Sequence, residues 1–326
     1  MIFGRLQISD NGSPRSRLKS TRPYRTLIQW QLIDQPFGLG KTGQAGPCNR
    51  LAASHQRGIT LVELIVTIVI MGILAGGTVA FVISSTQSYV DTATRNQLSA
   101  IGRIATQKLE MALGLAVPNS IRVTSAESSG DQCLEYLPVA DATSYLDVNF
   151  VSASNSLTAL PFTASGLSGK KYAIIYPVVP ATLYAASSPG PLATITSYSA
   201  SVSGGIETVT LSGNHLFRSG SDAQRLYLAE EPVSFCVEGG KLFRYKNYTS
   251  SGLKSSQCTP DTASCLPTSA PNRALIADTI VNNGLTAFSV AASRLQSTGT
   301  VRLNLNFADG AEAITIRHDI QIPSAP

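Results

Sequence analysis

Residues Ile59 to Ile83 read ITLVELIVTIVIMGILAGGTVAFVI, an apolar run interrupted by a single charged side chain, Glu63. At about 1.5 Å per residue this run makes a helix of roughly 37 Å, enough to cross a hydrocarbon core of about 30 Å with some tilt. Nothing else in the chain restricts its fold as much. The run puts one segment in a bilayer, and the basic residues before it orient the front to the cytoplasm and the bulk of the chain to the outside. A cleaved secretory signal is shorter and ends in a small-x-small site, whereas this run continues into a helical pattern. An ordinary anchor gives no reason for a carboxylate near its start, where burial costs about 2.5–3.5 kcal/mol. The acid therefore calls for a cation. A cut between Gly58 and Ile59 would create an amine four residues before Glu63, at the same membrane depth in a neighbouring subunit, where the two charges pair between chains.

The net charge of +5 would suggest a nucleic-acid partner if it were spread over the chain. It is concentrated at the front. Arg5, Arg15, Arg17, Lys19, Arg22, Arg25, Lys41, Arg50 and Arg57 face only Asp10 and Asp34 there, so nine of the 25 basic residues and two of the 20 acidic ones precede Ile59. The remainder carries 16 basic against 18 acidic residues, which removes the argument for nucleic acid. Five cysteines are present, and the four beyond the apolar run (Cys133, Cys236, Cys258 and Cys265) read as two disulfides of an oxidising compartment. Three connectivities are open. The short Ser/Thr/Pro-rich loop favours Cys258 with Cys265, which leaves Cys133 with Cys236. A zinc site competes for the same residues, but no C-x2-C spacing occurs.

Arg57, Gly58, Ile59, Thr60, Leu61, Val62 and Glu63 resemble the type IV prepilin processing site. The resemblance implies that prepilin peptidase cuts after Gly58, that the new amine of Ile59 is methylated, and that Glu63 guides assembly by pairing with a neighbour's amine. Two positions depart from the family: Ile59 stands where Phe is usual, and Ala80 where major pilins have proline. Gly76 and Gly77 are read as weakening the helix instead, each at about 1 kcal/mol relative to alanine. Gly72 with Gly76 forms a G-x-x-x-G pair that lets another helix approach. A 58-residue leader is long for the family. Residues 1–50 show no periodicity and no methionine after Met1, so translation is expected to begin near Leu51 from a non-AUG codon, with LAASHQRG as leader.

Beyond the membrane, Tyr89, Ala93, Ile101, Ala105, Leu109 and Ala112 recur near a 3.6 period, which predicts an amphipathic stalk packed on its own domain. Helix is expected from Ile59 to about Val117, roughly 88 Å, with Gly114 and Pro118 marking its end. The rest reads as strands. Val233, Phe235 and Val237 precede Gly239 and Gly240, with Leu242, Phe243 and Tyr245 after them, a hairpin pattern. A second hairpin has Val301, Leu303, Leu305 and Phe307, a turn at Asp309 and Gly310, then Ile314, Ile316, Ile320 and Ile322. Shorter strands are predicted at Cys133–Leu137, Tyr172–Val179, Glu207–Leu211 and Arg225–Ala229, and loops at Ser187–Ser203 and Thr249–Ala270.

LAVPNSIRV (115–123), QCLEYLP (132–138), PVSFCVEGGKLFRY (232–245) and the terminal IRHDIQIPSAP resemble the MshO-type minor pilins of mannose-sensitive haemagglutinin pili. The larger pseudopilins of type II secretion are similar in fold. Catalytic chemistry finds little to work with, because only His215 and His318 follow the processing site. His318 reads as a packed histidine beside Ile316 and Ile320, and His215 as part of a Gly-Asn turn. GLSGKK (166–171) lacks the spacing of a phosphate loop. KLFRYKNY (241–248) interleaves basic and aromatic residues that could stack on single-stranded nucleic acid or sugar, but a strand pair is the commoner use.

The expected architecture is α+β: a leader over 1–58, a transmembrane helix half over 59–83, a stalk half over 84–117 and a mainly antiparallel β head over 118–326. The expected role is that of a minor pilin in the inner membrane with its head in the periplasm, passing into a pilus. Its partners are prepilin peptidase, other minor and major pilins, and the inner-membrane assembly platform; surface adhesion is a further role. No catalytic residue, metal or cofactor is expected. A secretion pseudopilin is the alternative of the same class, and a membrane-tethered carbohydrate-binding module or enzyme the alternative of another.

Overall fold

The computed structural model describes residues 58–162, 171–200, 205–249, 252–259, 265–291 and 299–322. The chain divides into two units between Leu64 and Ile65. In chain order the elements are α1 (Leu61–Gly114), β1 (Arg122–Val123), β2 (Gln132–Tyr136), β3 (Val139–Asp147), β4 (Ser154–Ala159), β5 (Tyr172–Ile175), α2 (Pro180–Tyr184), β6 (Leu192–Ala200) and β7 (Glu207–His215). There follow β8 (Arg225–Ala229), β9 (Val233–Glu238), β10 (Lys241–Tyr245), β11 (Arg273–Ala277), β12 (Phe288–Ala291), β13 (Thr300–Asp309) and β14 (Glu312–Gln321). The arrangement is the α+β, pilin-like one: a long apolar N-terminal helix followed by an antiparallel β domain.

Helix α1 runs unbroken through Gly76 and Gly77, so the two glycines do not interrupt it. Its packed face consists of Leu98, Gly102, Ala105, Thr106, Leu109 and Leu113, a spacing of three and four that keeps one side against the sheets. Of the stripe expected from sequence, Ala105 and Leu109 are buried and Ile101 and Ala112 pack against the same core, whereas Tyr89, 76% exposed, and Ala93 lie before the packed face begins. Leu98 and Gly102, which begin the packed face, carry too weak a periodic signal on their own.

Gly102 sets how closely α1 approaches the sheet. A Cβ placed on it would lie 2.0 Å from Ile316 Cδ1 on β14 and 3.0 Å from Phe307 Cε2 on β13. Alanine would gain about 1 kcal/mol of helix propensity, but overpacking a filled core costs about 1–3 kcal/mol. Gly102→Ala is therefore expected to lower stability by about 1 kcal/mol, and Gly102→Leu by more, measured as shifts in the denaturation midpoint of the full chain in detergent.

Three β assemblies follow the helix. A five-stranded sheet has the order β1-β2-β9-β10-β11, a three-stranded one has β12-β13-β14, and β3-β4-β7-β6-β5-β8 closes into a barrel. The two expected hairpins are present. Glu238 pairs with Lys241 across Gly239 and Gly240, whose φ values of 55° and 76° meet the positive-φ demand of a two-residue turn. Asp309 pairs with Glu312 across Gly310 and Ala311. The two sheets share one core with α1, including Leu109, Phe235, Leu242, Leu303, Leu305 and Phe307. Gln132 ties them together: its side-chain carbonyl accepts from the Phe288 N–H at 2.8 Å and its amide donates to the Phe288 carbonyl at 2.9 Å. One buried side chain thus stands in for a missing stretch of strand ladder.

The barrel is inserted between β2 and β9, which are neighbours in the five-stranded sheet. Strand β5 shows why Tyr172–Ile175 is apolar throughout. Ala173 and Ile175 point into the barrel core with Val209, Leu226 and Leu228, while Tyr172 and Ile174 pack outward with Val117, Leu183 and Leu192. It ends earlier than the sequence suggested, at Ile175, because Tyr176 takes a φ of +49° and α2 begins at Pro180. A loop was expected over Ser187–Ser203, but β6 lies inside it. Its Thr194 and Thr196 alternate with Ala193 and Ile195, and pairing with β5 and β7 overrides the weak local preference.

Candidate processing and assembly site

In the first unit, Gly58, Ile59 and Thr60 precede the helix and carry no regular structure. Thr60 begins α1. Its hydroxyl oxygen accepts the Glu63 N–H at 3.2 Å, and its carbonyl accepts the Leu64 N–H at 3.1 Å. Thr60 is thus the N-cap and Glu63 occupies the third helical position, the T-x-x-E pattern of a capping box. That pattern ahead of an apolar run is legible in the sequence, and it gives Thr60, otherwise only a member of the processing motif, a role of its own.

Capping alone does not account for the carboxylate. A negative charge near a helix N-terminus gains about 0.3–1 kcal/mol from the macrodipole, less than the roughly 2.5–3.5 kcal/mol that an acid costs inside a membrane. Among the described residues Glu63 makes no ion pair. Ile59 is 73% exposed. A Cβ on Gly58 would meet nothing within 4 Å, so the fold itself makes no demand for glycine there.

From Ile65 onward the helix presents apolar side chains outward, with Ile65, Ile70, Met71, Phe81 and Ile83 all about half exposed or more. The segment is long and apolar enough to cross a membrane, and none of its most apolar window is covered by the protein. Leaving such side chains in water forfeits about 1.5–3 kcal/mol each, which suits a segment whose surroundings are lipid or other apolar helices. Gly72, Gly76 and Gly77 have open space where a Cβ would project.

A second concentration of charge is buried in the head. The Arg122 Nε donates to Glu135 Oε2 at 2.5 Å, and its terminal nitrogens donate to the carbonyls of Ser255 at 2.5 Å and Lys254 at 3.0 Å. The Tyr248 hydroxyl donates to Glu135 Oε1 at 2.8 Å, and the Arg122 guanidinium lies 3.6 Å from the centre of the Tyr184 ring. Glu135 is 1% exposed. Burial pushes its pKa above 4.5, against the opposing pull of the Arg122 charge and of the Arg122 and Tyr248 hydrogen bonds. Burial likewise drives the Tyr184 and Tyr248 phenols well above 10.0. These groups hold the segment ahead of Cys258 and helix α2 to β1 and β2, a structural use of charge.

Cys133 is bonded to Cys236 and Cys258 to Cys265. Cys133 and Cys236 face each other in the β2–β9 register, and all four cysteines share one small cluster with Tyr245 and Tyr248. Among the described residues no group of three or more His, Cys, Asp or Glu could hold a metal.

Several side chains sit otherwise than expected. His215 ends β7 and is buried, with its Nε2 3.0 Å from the Gly190 carbonyl oxygen and its ring against Phe217; the Gly-Asn pair before it is strand. His318 is 40% exposed by its side chain, with its Nε2 3.7 Å from Glu110 on helix α1. Of Lys241–Tyr248, Leu242, Tyr245 and Tyr248 are buried and Phe243 is covered by Arg273 at 3.7 Å, so no open aromatic platform forms. Residues 166–170 of GLSGKK lie outside the described residues, and Lys171 pairs with Glu231.

Residues 53–79 match the family described as the prokaryotic N-terminal methylation motif. That match covers Gly58, Ile59, Thr60, Glu63 and most of the apolar run, and it supports a type IV pilin or pseudopilin. No curated protein and no solved structure matches the chain.

Proposed function

We propose that this chain is a minor type IV pilin of the mannose-sensitive haemagglutinin type, cut after Gly58 by prepilin peptidase, methylated on Ile59 and assembled through Glu63. The observation that carries the reading is an acid at the third position of an uncovered apolar helix, with no cation beside it among the described residues. A charge so placed costs more than its helix end returns, and a neighbour's new amine supplies the missing partner. The methylation motif supports the same chemistry. The head stands in the periplasm before assembly and on the pilus after it, and acts by binding other pilins and the inner-membrane platform, not by catalysis.

N-terminal sequencing of the mature protein, from cells with and without prepilin peptidase, tests the first step. Methyl-isoleucine at position 59 is expected only when the peptidase is present; an intact Gly58–Ile59 bond in both would reject the reading. A type II secretion pseudopilin shares the methylation motif. Co-purification of the processed chain with the major pilin, and not with a secretion platform, is the outcome expected here.

A further inference from the structure

The end of β5, the start of β6 and the chain just past β7 meet at one end of the barrel around a cavity of about 260 Å3. Its wall includes Tyr176, Val178, Val179, Pro189 and Arg218, with hydroxyls from Ser187 and Ser219. Three features set it apart from ordinary loop surface. Tyr176, Val178 and Val179 are 40%, 56% and 44% exposed, so three large side chains flanking the buried Pro177 turn toward solvent. Tyr176 holds a φ of +49° directly before a proline, although bulky residues avoid that region and pre-proline residues favour extended backbone. Strain of this kind persists where the surrounding structure imposes it, and it clusters at binding sites.

The third feature is charge. Arg218 is exposed and makes no ion pair or hydrogen bond among the described residues, and no other charged side chain lines the cavity. The wall therefore combines one open aromatic ring, one uncommitted guanidinium and a few hydroxyls. A guanidinium recognises a carboxylate by two parallel hydrogen bonds, and an aromatic face suits the apolar face of a sugar ring, as apolar walls with few polar groups suit ligands generally. The volume lies below the roughly 300–1,000 Å3 of sites for drug-sized molecules, which fits a single ring. A peptide C-terminus also offers a carboxylate, but peptides commonly bind by adding a strand to an open sheet edge, and the strands here belong to a closed barrel.

We propose that this cavity binds one acidic sugar residue of a glycan, its carboxylate on Arg218 and its ring on Tyr176. The site shares no residue with the N-terminal motif, so the proposal stands or falls apart from the assembly role. The test is saturation-transfer NMR on the full chain in detergent, with 3′-sialyllactose and a trigalacturonate as probes, lactose as the neutral control and a pentapeptide with a free carboxylate as competitor. At least one acidic saccharide is expected to receive saturation and lactose none. Arg218→Ala is expected to weaken binding about 10- to 100-fold, the worth of a charge-assisted hydrogen bond. Tyr176→Gly serves as the variant that keeps the fold. Glycine takes a positive φ without strain, so its thermal midpoint is expected to hold or rise while binding is lost. The proposal is overturned if neither acidic saccharide binds, if lactose binds equally, if Arg218→Ala changes nothing, or if the pentapeptide takes the site.

Discussion

Arg122→Met is expected to cost the head about 3–5 kcal/mol at neutral pH, the penalty for leaving a buried charge without its partner. Glu135 would keep the Tyr248 hydroxyl but lose the cation 2.5 Å away. The sign of the pH dependence follows from the direction of the Glu135 shift. Its folded-state pKa is raised above 4.5, so the folded chain holds that proton more tightly than the unfolded one. The resulting contribution is fully present below about 4.5 and is lost as pH rises through the raised value. Removing Arg122 raises that value further, so the deficit of the variant should be smallest in acid and grow toward neutrality. Denaturation of the full chain in detergent between pH 4 and pH 8 would show it. Pairing Arg122→Met with Glu135→Gln should recover part of the loss, since the uncompensated charge is then gone. A deficit that is flat with pH, or a double variant as weak as the sum of the two, would assign the cost to lost packing against Tyr184.

Glu63→Gln is expected to leave cleavage and methylation unchanged and to reduce recovery with partner pilins tenfold or more. The amide keeps the backbone N–H that the Thr60 hydroxyl accepts, so the helix start survives and only the charge is removed. An ion pair at 4 Å is worth about 4 kcal/mol at an effective dielectric constant of 20, more than enough for a tenfold change. Thr60→Val gives the opposite separation: the cap is lost, at about 1 kcal/mol, while the acid stays, and incorporation should be affected far less. Equal loss in both variants would make Glu63 a helix-start residue and no more.

The N-terminal helix and both glycine hairpins were legible in sequence because each rests on local chemistry: an unbroken apolar run in one case, alternation closed by turn residues in the other. The barrel was not. Strands β3, β4 and β6 are rich in Ser, Thr and Asp, and they are strands through partners far away, such as Val139 with Ala229 and Ser154 with His215. No window of sequence contains that pairing. Where the packed face of α1 begins has a related cause, since Gly102 is buried by the close approach of Ile316 and Phe307 and not by any hydrophobicity of its own. At the candidate site, Glu63 declared itself as the one acid in an apolar run, and Thr60 could have been read from the capping pattern. The Arg122–Glu135 pair could not, because residues 13 positions apart on β1 and β2 become neighbours only through register.

Because β2 and β9 lie side by side and are joined by Cys133–Cys236, the chain leaves the five-stranded sheet and returns to it at nearly the same place. Everything between behaves like a cartridge held in a two-pronged socket. Such a socket tolerates exchange: a different cartridge could be carried on the same helix with the crosslink and the strand order beneath it untouched, so that the inserted part can diversify while the sheet that holds it stays fixed.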